Sequence, residues 1–485
     1  DKRPQDPYVI TEEQRKFLRE EVWTYWKGNS LEEAFLKRIP GETAKLLVDT
    51  GILDNDSKWR QAVGEITPDY QDVLFPKGFR KIREEAKIRR EALKADSISN
   101  IEKIEFYESV IIACDGIMRL ASRYSDAAKS LAASEKDEGR KEELLAIASI
   151  CSRVPADPPR TFHEACQFVW FVQLGGIISE NPLALNLGRF DQYMYPFYEA
   201  DVKAGRLDRK KAQELVECLW LKLSEWVWTI SSNTANYFAG YNQFQNLTVG
   251  GRKRDGSDGT NELSYICLKA TESVKTHQPG LSVRIHPDCP DEFLMAVAEL
   301  VSKGLGFPAI HSDRAGYEML LQMGYDPEDA RDWSNCGCVV PHFRKTGEWT
   351  SAVNVNFGAA LEYALNQGKS RLSGKPMGLP EKPIEEFAHF EEVKEAFFRQ
   401  LSNLIEHAVI GTVVAQKIHM EMVPRPFLSA CVDGCLEKGA DLSKGGANYN
   451  IGPVLTGIGL GVVANSLAAI KKLVFEDKIT SMGEL

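Results

Sequence analysis

From about residue 160 the chain repeats one texture: a long stretch of helical periodicity, then a short apolar run bounded by Gly, Asn or Pro. "QFVWFVQLGGIIS", "DRKKAQELVECLWLKLSEWVW", "NLTVGG", "LSYICLKATESV" and "LSVRIH" follow in order, and "DEFLMAVAELVSKGLG" precedes "PAIHSD". Short, continuously apolar runs between helices belong in a sheet covered on both faces, which predicts an α/β architecture with a buried parallel sheet. Before this region, residues 11–48 and 76–150 carry the charged and apolar faces of amphipathic helices, as in "GFRKIREEAKIRREALKAD" and "FYESVIIACDGIMRLASRY". The expected organisation is a mostly helical portion over 1–150 leading into an α/β core over 151–485. Fixed-period repeats, low-complexity tracts and Pro/Ser-rich linkers are absent, which favours one large unit over separable modules.

Charge and cysteine usage narrow the function classes. A formal net charge of −10 argues against a broad nucleic-acid footprint, which needs a basic face. No run of about 18 consecutive apolar residues is present, and "DKRPQDPYVITEEQ" lacks the apolar centre of a signal peptide, so no membrane association and a cytoplasmic location are expected. The ten cysteines lie mostly in apolar helical contexts such as "HEACQFVWF" and read as free thiols that pack as small hydrophobes. Cys336/Cys338 has no CxxC partner and Cys431/Cys435 stands inside one helical stretch, so no metal site is expected. "GIGLGVVAN" lacks the full GxGxxG spacing and reads as helix–strand packing. No histidine pair has HxxxH or HExxH spacing, and no GxSxG nucleophile elbow occurs.

One stretch is different in kind. "RDWSNCGCVVPHF" (331–343) places Cys338 between Gly337 and an apolar Val339–Val340–Pro341 run, directly after a helix-like segment. A buried space-filling role is open to both cysteines. A thiolate nucleophile would need a basic neighbour, of which His342 and Arg344 are the nearest in sequence. A thiyl radical needs a dry apolar surround, which Val339, Val340 and Phe343 would provide.

The blocks "LGRFDQYMYPFYEADVKAGRL" (187–207), "ELVECLWLKL", "QNLTVGG" (245–251), "QPGLSVRIH" (278–286), "EDARDW" with "GCVVP" (328–341), "GGANYNIGP" (445–453) and "ANSLAAIKKLVFEDK" (464–478) resemble, in order, the signature blocks of the glycyl radical enzymes. The resemblance implies a ten-stranded α/β barrel of two antiparallel five-stranded half-barrels wrapped by helices. It places the catalytic cysteine, here Cys338, on a loop inside the barrel. It also implies a protein-derived glycyl radical installed by a radical S-adenosylmethionine activating enzyme, and homodimers that in some relatives carry small accessory subunits. The family's Arg-Val-x-Gly-Tyr/Phe radical segment is not found, so the expectation is a catalytic core lacking its C-terminal glycyl-radical domain. A scaffold subunit without that domain is the non-catalytic alternative.

Two departures bear on substrate. Where the dehydratases of this family hold a glutamate two residues after the cysteine, this chain holds Val340. Where they hold a His-Ser pair ahead of the Gly-Arg-Phe-Asp block, it holds Leu183 and Ala184. Alkyl groups there would leave a polyol's hydroxyls unpaired at roughly 1–3 kcal/mol each. The expected pocket is therefore apolar, lined by Leu183, Ala184, Val340 and Phe343, with His342 and Arg344 beside it. Lys345 and Arg284 are further candidates for binding a carboxylate. This leans toward C–C chemistry such as hydrocarbon addition to fumarate, with arylacetate decarboxylation and glycerol/diol dehydration as alternatives. Cys336 is read as structural.

Overall fold

The computed structural model describes residues 2–4, 7–50, 52–53, 63–230, 235, 243–348, 351–450, 452 and 454–485. Within the motifs above, Trp349, Thr350, Ile451 and Pro453 lie outside the described residues, as do Asp1, Gln5 and Asp6 of the N-terminal stretch.

Strand β1 (Val63–Ile66) pairs in parallel with β2 (Pro182–Leu185), so the sheet draws its first strand from the helical N-terminal portion. Strands β3 (Leu247–Gly250), β4 (Leu281–Ile285) and β5 (Ala309–Ser312) form a parallel trio. The backbone just past β2 stitches the two groups together: Leu187 N–H donates to Asn246 O at 2.8 Å and Thr248 N–H to Gly188 O at 2.9 Å. The result is one parallel layer in the order β1-β2-β3-β4-β5. Each step after β3 is a βαβ unit, with helix Glu262–Val274 crossing to β4 and helix Asp291–Ser302 crossing to β5.

A short hairpin, β6 (Ser334–Cys336) and β7 (Val340–His342), is antiparallel with Cys336 opposite Val340. Strand β8 (Ser351–Asn356) pairs in parallel with β9 (Val454–Ile458), the strand that "GIGLGVVAN" completes before the helix Leu460–Ile470.

Helix faces follow the sequence pattern. Helix Ile98–Ser134 is capped by Ser97, whose hydroxyl accepts from Asn100 N. It buries Tyr107, Val110, Cys114, Ile117, Ala121, Ser125, Ala128 and Ala132, a stripe at steps of three and four. Helix Phe162–Glu180 is apolar nearly all round, and Phe168, Phe171 and Val172 are fully buried under the sheet. One core joins the N-terminal helices to the outer face of β1–β5 through Phe79, Phe168, Leu185, Val249 and Val283. A second joins β8 to helix Phe390–Met422 through Val353, Val355, Leu404 and Ile418. Among the described residues no helix is long and apolar enough to cross a membrane.

Candidate active site

In a strand, alternate residues face opposite sides. Leu185, Val249 and Val283 face the helices. Their neighbours Ala184, Thr248 and Ser282 face the other way, Ala184 level with Glu65 and Thr248 level with Ser282. This inner face receives the β6–β7 hairpin. Thr248 Oγ1 accepts from Asn335 N at 3.0 Å. Asn186 Oδ1 accepts from Gly337 N at 3.0 Å, while its Nδ2 donates to Cys336 Sγ at 3.1 Å and to Ile66 O at 2.9 Å.

The hairpin turns on Gly337, Cys338 and Val339. Gly337 sits at φ +60°, and a methyl group built on it would stand 2.6 Å from Glu65 Cδ and 2.7 Å from Oε1. Both the left-handed backbone and the pressing carboxylate therefore require glycine. Glu65 itself is buried.

The two cysteines part company here. Cys336 is fully buried, and burial first, then the nearby Glu65 charge, pushes its thiol well above the usual range. Cys338 is exposed; of the ten cysteines only it and Cys218, on a surface helix, are.

The base of the hairpin is clamped by three guanidinium groups. Arg189, from the Gly-Arg-Phe-Asp block, donates to Asp332 Oδ1 at 2.8 Å and Gly250 O at 2.7 Å. Asp191 of the same block accepts from Gly250 N at 2.8 Å and Ser264 Oγ at 2.6 Å, which ties that block to the "LTVGG" strand end. Arg284 donates to Asp313 Oδ1 at 2.8 Å, to Trp333 O and to Arg331 O. It lies 4.5 Å over the Trp333 ring, in space that a side chain on Gly251 would fill. Burial and the like charge of Arg189 lower Arg284 to about 9.

Arg344 pairs with Asp332, with Asp72 at 2.7 Å and with Asp69 at 3.2 Å. Burial alone would raise Asp332, but Arg344 and Arg189 hold it below the usual carboxylate range. At Asp69 burial wins over Arg344 and lifts the carboxyl to about 7. Lys345 is likewise engaged, by Asp433 at 3.1 Å and Asp72 at 3.2 Å.

These facts place the expected site residues. Cys338, Val340 and Ala184 share the hairpin side of the sheet, Val340 half-buried and Ala184 fully buried. Leu183 points to the other face and packs with Trp228, because it alternates with Ala184. Phe343 is fully buried in a separate cluster with Leu320, Tyr325 and Trp333. His342 is also fully buried, its Nε2 3.3 Å from Gly347 O. Arg344, Lys345 and Arg284 spend their donors on protein acceptors, which corrects their reading as ligands for a substrate carboxylate.

The expected apolar pocket is corrected as well. The wall around the hairpin carries Glu65, Asn186, Thr248 and Ser282. Among the described residues, the fully buried Asn335 carboxamide has neither end hydrogen-bonded, and the buried Ser282 Oγ is also unbonded. Such atoms make the wall suited to a polar ligand or ordered water. Sequence reasoning missed Glu65, for which the "VGEI" strand itself is the only local signal.

For metals, Asp258, His286 and Cys289 bring one donor atom each within 4.8 Å of one another. Asp288 N–H donates to His286 Nδ1 at 3.2 Å, so Nε2 carries the proton and donates to Asp258 Oδ1 at 3.0 Å. Internal hydrogen bonding thus accounts for this group.

The pyruvate formate lyase-like family matches residues 1–485. The chain is 35% identical to isethionate sulfite-lyase of Nitratidesulfovibrio vulgaris over 100% of its own length and 60% of that protein's. It is 34% identical to trans-4-hydroxy-L-proline dehydratase of Clostridioides difficile, covering 99% of this chain and 60% of the relative. The structure of the Roseburia inulinivorans protein of 1,2-propanediol dehydration superposes with a TM-score of 0.95 at 36% identity, covering 100% of this chain and 60% of that one. The chain therefore spans about three-fifths of the relatives it matches.

With that superposition the fold is the family's α/β barrel. β1–β5 form one parallel half, β8 and β9 stand apart from it as a separate parallel pair, and the β6–β7 hairpin carries Cys338. These relatives are named as a sulfite-lyase and dehydratases, which favours the lyase alternative and gives no support to the C–C bond-forming class expected from Val340, Leu183 and Ala184. The chain belongs to the pyruvate formate lyase-like family, the glycyl radical enzymes.

Proposed function

We propose that this chain is the substrate-binding and sulfur-bearing part of a glycyl radical lyase that eliminates a small leaving group, water or sulfite, from the carbon next to a hydroxyl-bearing carbon. The observation that carries it is Cys338 at the tip of a rigidly held hairpin turn, against a polar wall that includes a carboxylate. The family's glycyl radical, installed by an activating enzyme, supplies the removal of a hydrogen atom from the cysteine thiol. Cys338 then takes a hydrogen atom from substrate carbon and returns one to the product. Asn186 and Thr248 fix the hairpin backbone so that the sulfur is presented at one height in the barrel. Asn335 and Ser282 offer polar atoms to a substrate's oxygen groups, a role an apolar hydrocarbon could not use.

The test uses the full-length protein after activation, offered propane-1,2-diol, glycerol and isethionate. Release of water or sulfite from one of them is expected from the wild type. Cys338→Ser should lose that turnover by at least about 1,000-fold while the glycyl radical signal persists. Turnover by Cys338→Ser, or formation of a succinate adduct from fumarate with no elimination, contradicts the reading.

A further inference from the structure

Val340 leaves the hairpin without the acid that a C–O or C–S elimination requires, yet a carboxylate stands on the other side of the same turn. Glu65 comes from β1, 5% exposed, and its carboxyl group abuts Gly337, one residue before Cys338. Its charge is felt at the neighbouring Cys336 thiol. The strand holds it firmly: Glu65 is level with Ala184 of β2, and the Gly64 N–H beside it donates to Glu348 Oε1 at 2.6 Å. Ala184 leaves the space beside it small-walled.

We infer that Glu65 is the catalytic acid–base residue of this site, delivering the proton to the leaving group from β1 in place of a carboxylate on the hairpin. This rests on the elimination reading above. Once Cys338 has taken a hydrogen atom from the hydroxyl-bearing carbon, the C–X bond to the neighbouring carbon breaks. The Glu65 carboxylate accepts the hydroxyl proton of the radical carbon, where a C=O bond forms, and X departs with the bonding pair and takes that proton from the Glu65 carboxyl, leaving as HX. The unpaired electron moves to the carbon that lost X, and that carbon takes a hydrogen atom back from the Cys338 thiol. Substrate becomes carbonyl product plus HX, Glu65 ends as the carboxylate it began, and no external oxidant or reductant is consumed.

Glu65→Gln in the full-length activated protein tests this against the same three compounds. The glycyl radical signal should persist and KM should change by less than about threefold, while kcat falls at least about 100-fold and loses one limb of its pH profile. If Glu65→Gln fails to fold, Glu65→Asp decides: withdrawing the carboxylate by one methylene should lower kcat at least about tenfold with the radical signal intact. A kcat within about threefold of wild type in whichever variant folds, with an unchanged pH profile, overturns the assignment and leaves the elimination reading standing. Wild-type protein that eliminates from none of the three compounds overturns the elimination reading and this assignment with it.

Discussion

The difference between Cys336 and Cys338 is a difference of two residues in the chain and of almost everything in environment. Cys336 is enclosed and lies beside a carboxylate, both of which keep its thiol protonated against the opposing hydrogen bond it accepts from Asn186. Cys336→Ala is expected to cost about 1–2 kcal/mol in urea unfolding, from a lost hydrogen bond and a small cavity, and to leave turnover within about threefold. His342 offers a pH signature. Burial lowers it to about 4, against an unfolded value near 6.5. Between those values the unfolded chain binds more protons, so stability falls as pH drops from 6.5 toward 4, by roughly 3–3.5 kcal/mol in all. Asp69 works in the opposite sense: raised to about 7, its contribution is full below the unfolded value and fades as pH rises through 7. Comparing His342→Gln with wild type isolates the histidine. The difference in unfolding free energy between wild type and variant should shift against the wild type as pH drops from 6.5 toward 4, and a difference that stays constant over that range would refute the burial argument. At this scale sequence reading singled out Cys338 from a glycine and two cysteines in a tight apolar run and from the resemblance of the surrounding blocks, and the structure sets it exposed at the hairpin turn. It missed Glu65 because only folding brings β1 against Gly337.

The hairpin is short, three residues a strand, and its order comes from what grips its base. Asp332 binds two of the three arginines there, Arg189 and Arg344, and is itself nearly buried. Asp332→Ala would take the shared carboxylate from both guanidinium groups, leaving Arg189 only backbone carbonyls, and about 3–5 kcal/mol of stability should be lost in urea unfolding. Turnover should fall with it, since the turn that presents Cys338 loses its anchor. A loss below about 1 kcal/mol would show that the clamp is not what orders the hairpin. Strand positions were legible in the sequence as apolar runs, and the βαβ order followed from their alternation with helices. Facing was not: Leu183 and Ala184 are adjacent letters, yet strand alternation sends one to Trp228 and the other toward Glu65. Arg344 looked available from its neighbours alone, because Asp69 and Asp72, about 270 residues upstream, are what occupy it.

Across the molecule, the parallel half β1–β5 and the N-terminal helices share one core, while β8 and helix Phe390–Met422 share another, and the Cys338 hairpin follows β5 in the chain. This arrangement was expected from ordered motif blocks, several of which now have structural reasons. The Gly-Arg-Phe-Asp and "LTVGG" blocks meet through Asp191 and Arg189, and "LSVRIH" contributes Arg284 to the clamp. What the blocks did not carry was the polarity of the inner wall, since Val340, Leu183 and Ala184 pointed to an apolar substrate while Glu65, Asn335 and Ser282 point the other way. The central claim is that Cys338 carries a hydrogen atom from one substrate carbon to its neighbour during elimination. The most direct measurement takes whichever of the three compounds is turned over, deuterated at the hydroxyl-bearing carbon that becomes the carbonyl, and locates the label in the product of the full-length activated protein. The account predicts deuterium on the adjacent carbon that lost the leaving group, delivered by Cys338. Product that retains all its deuterium at the original carbon would contradict it.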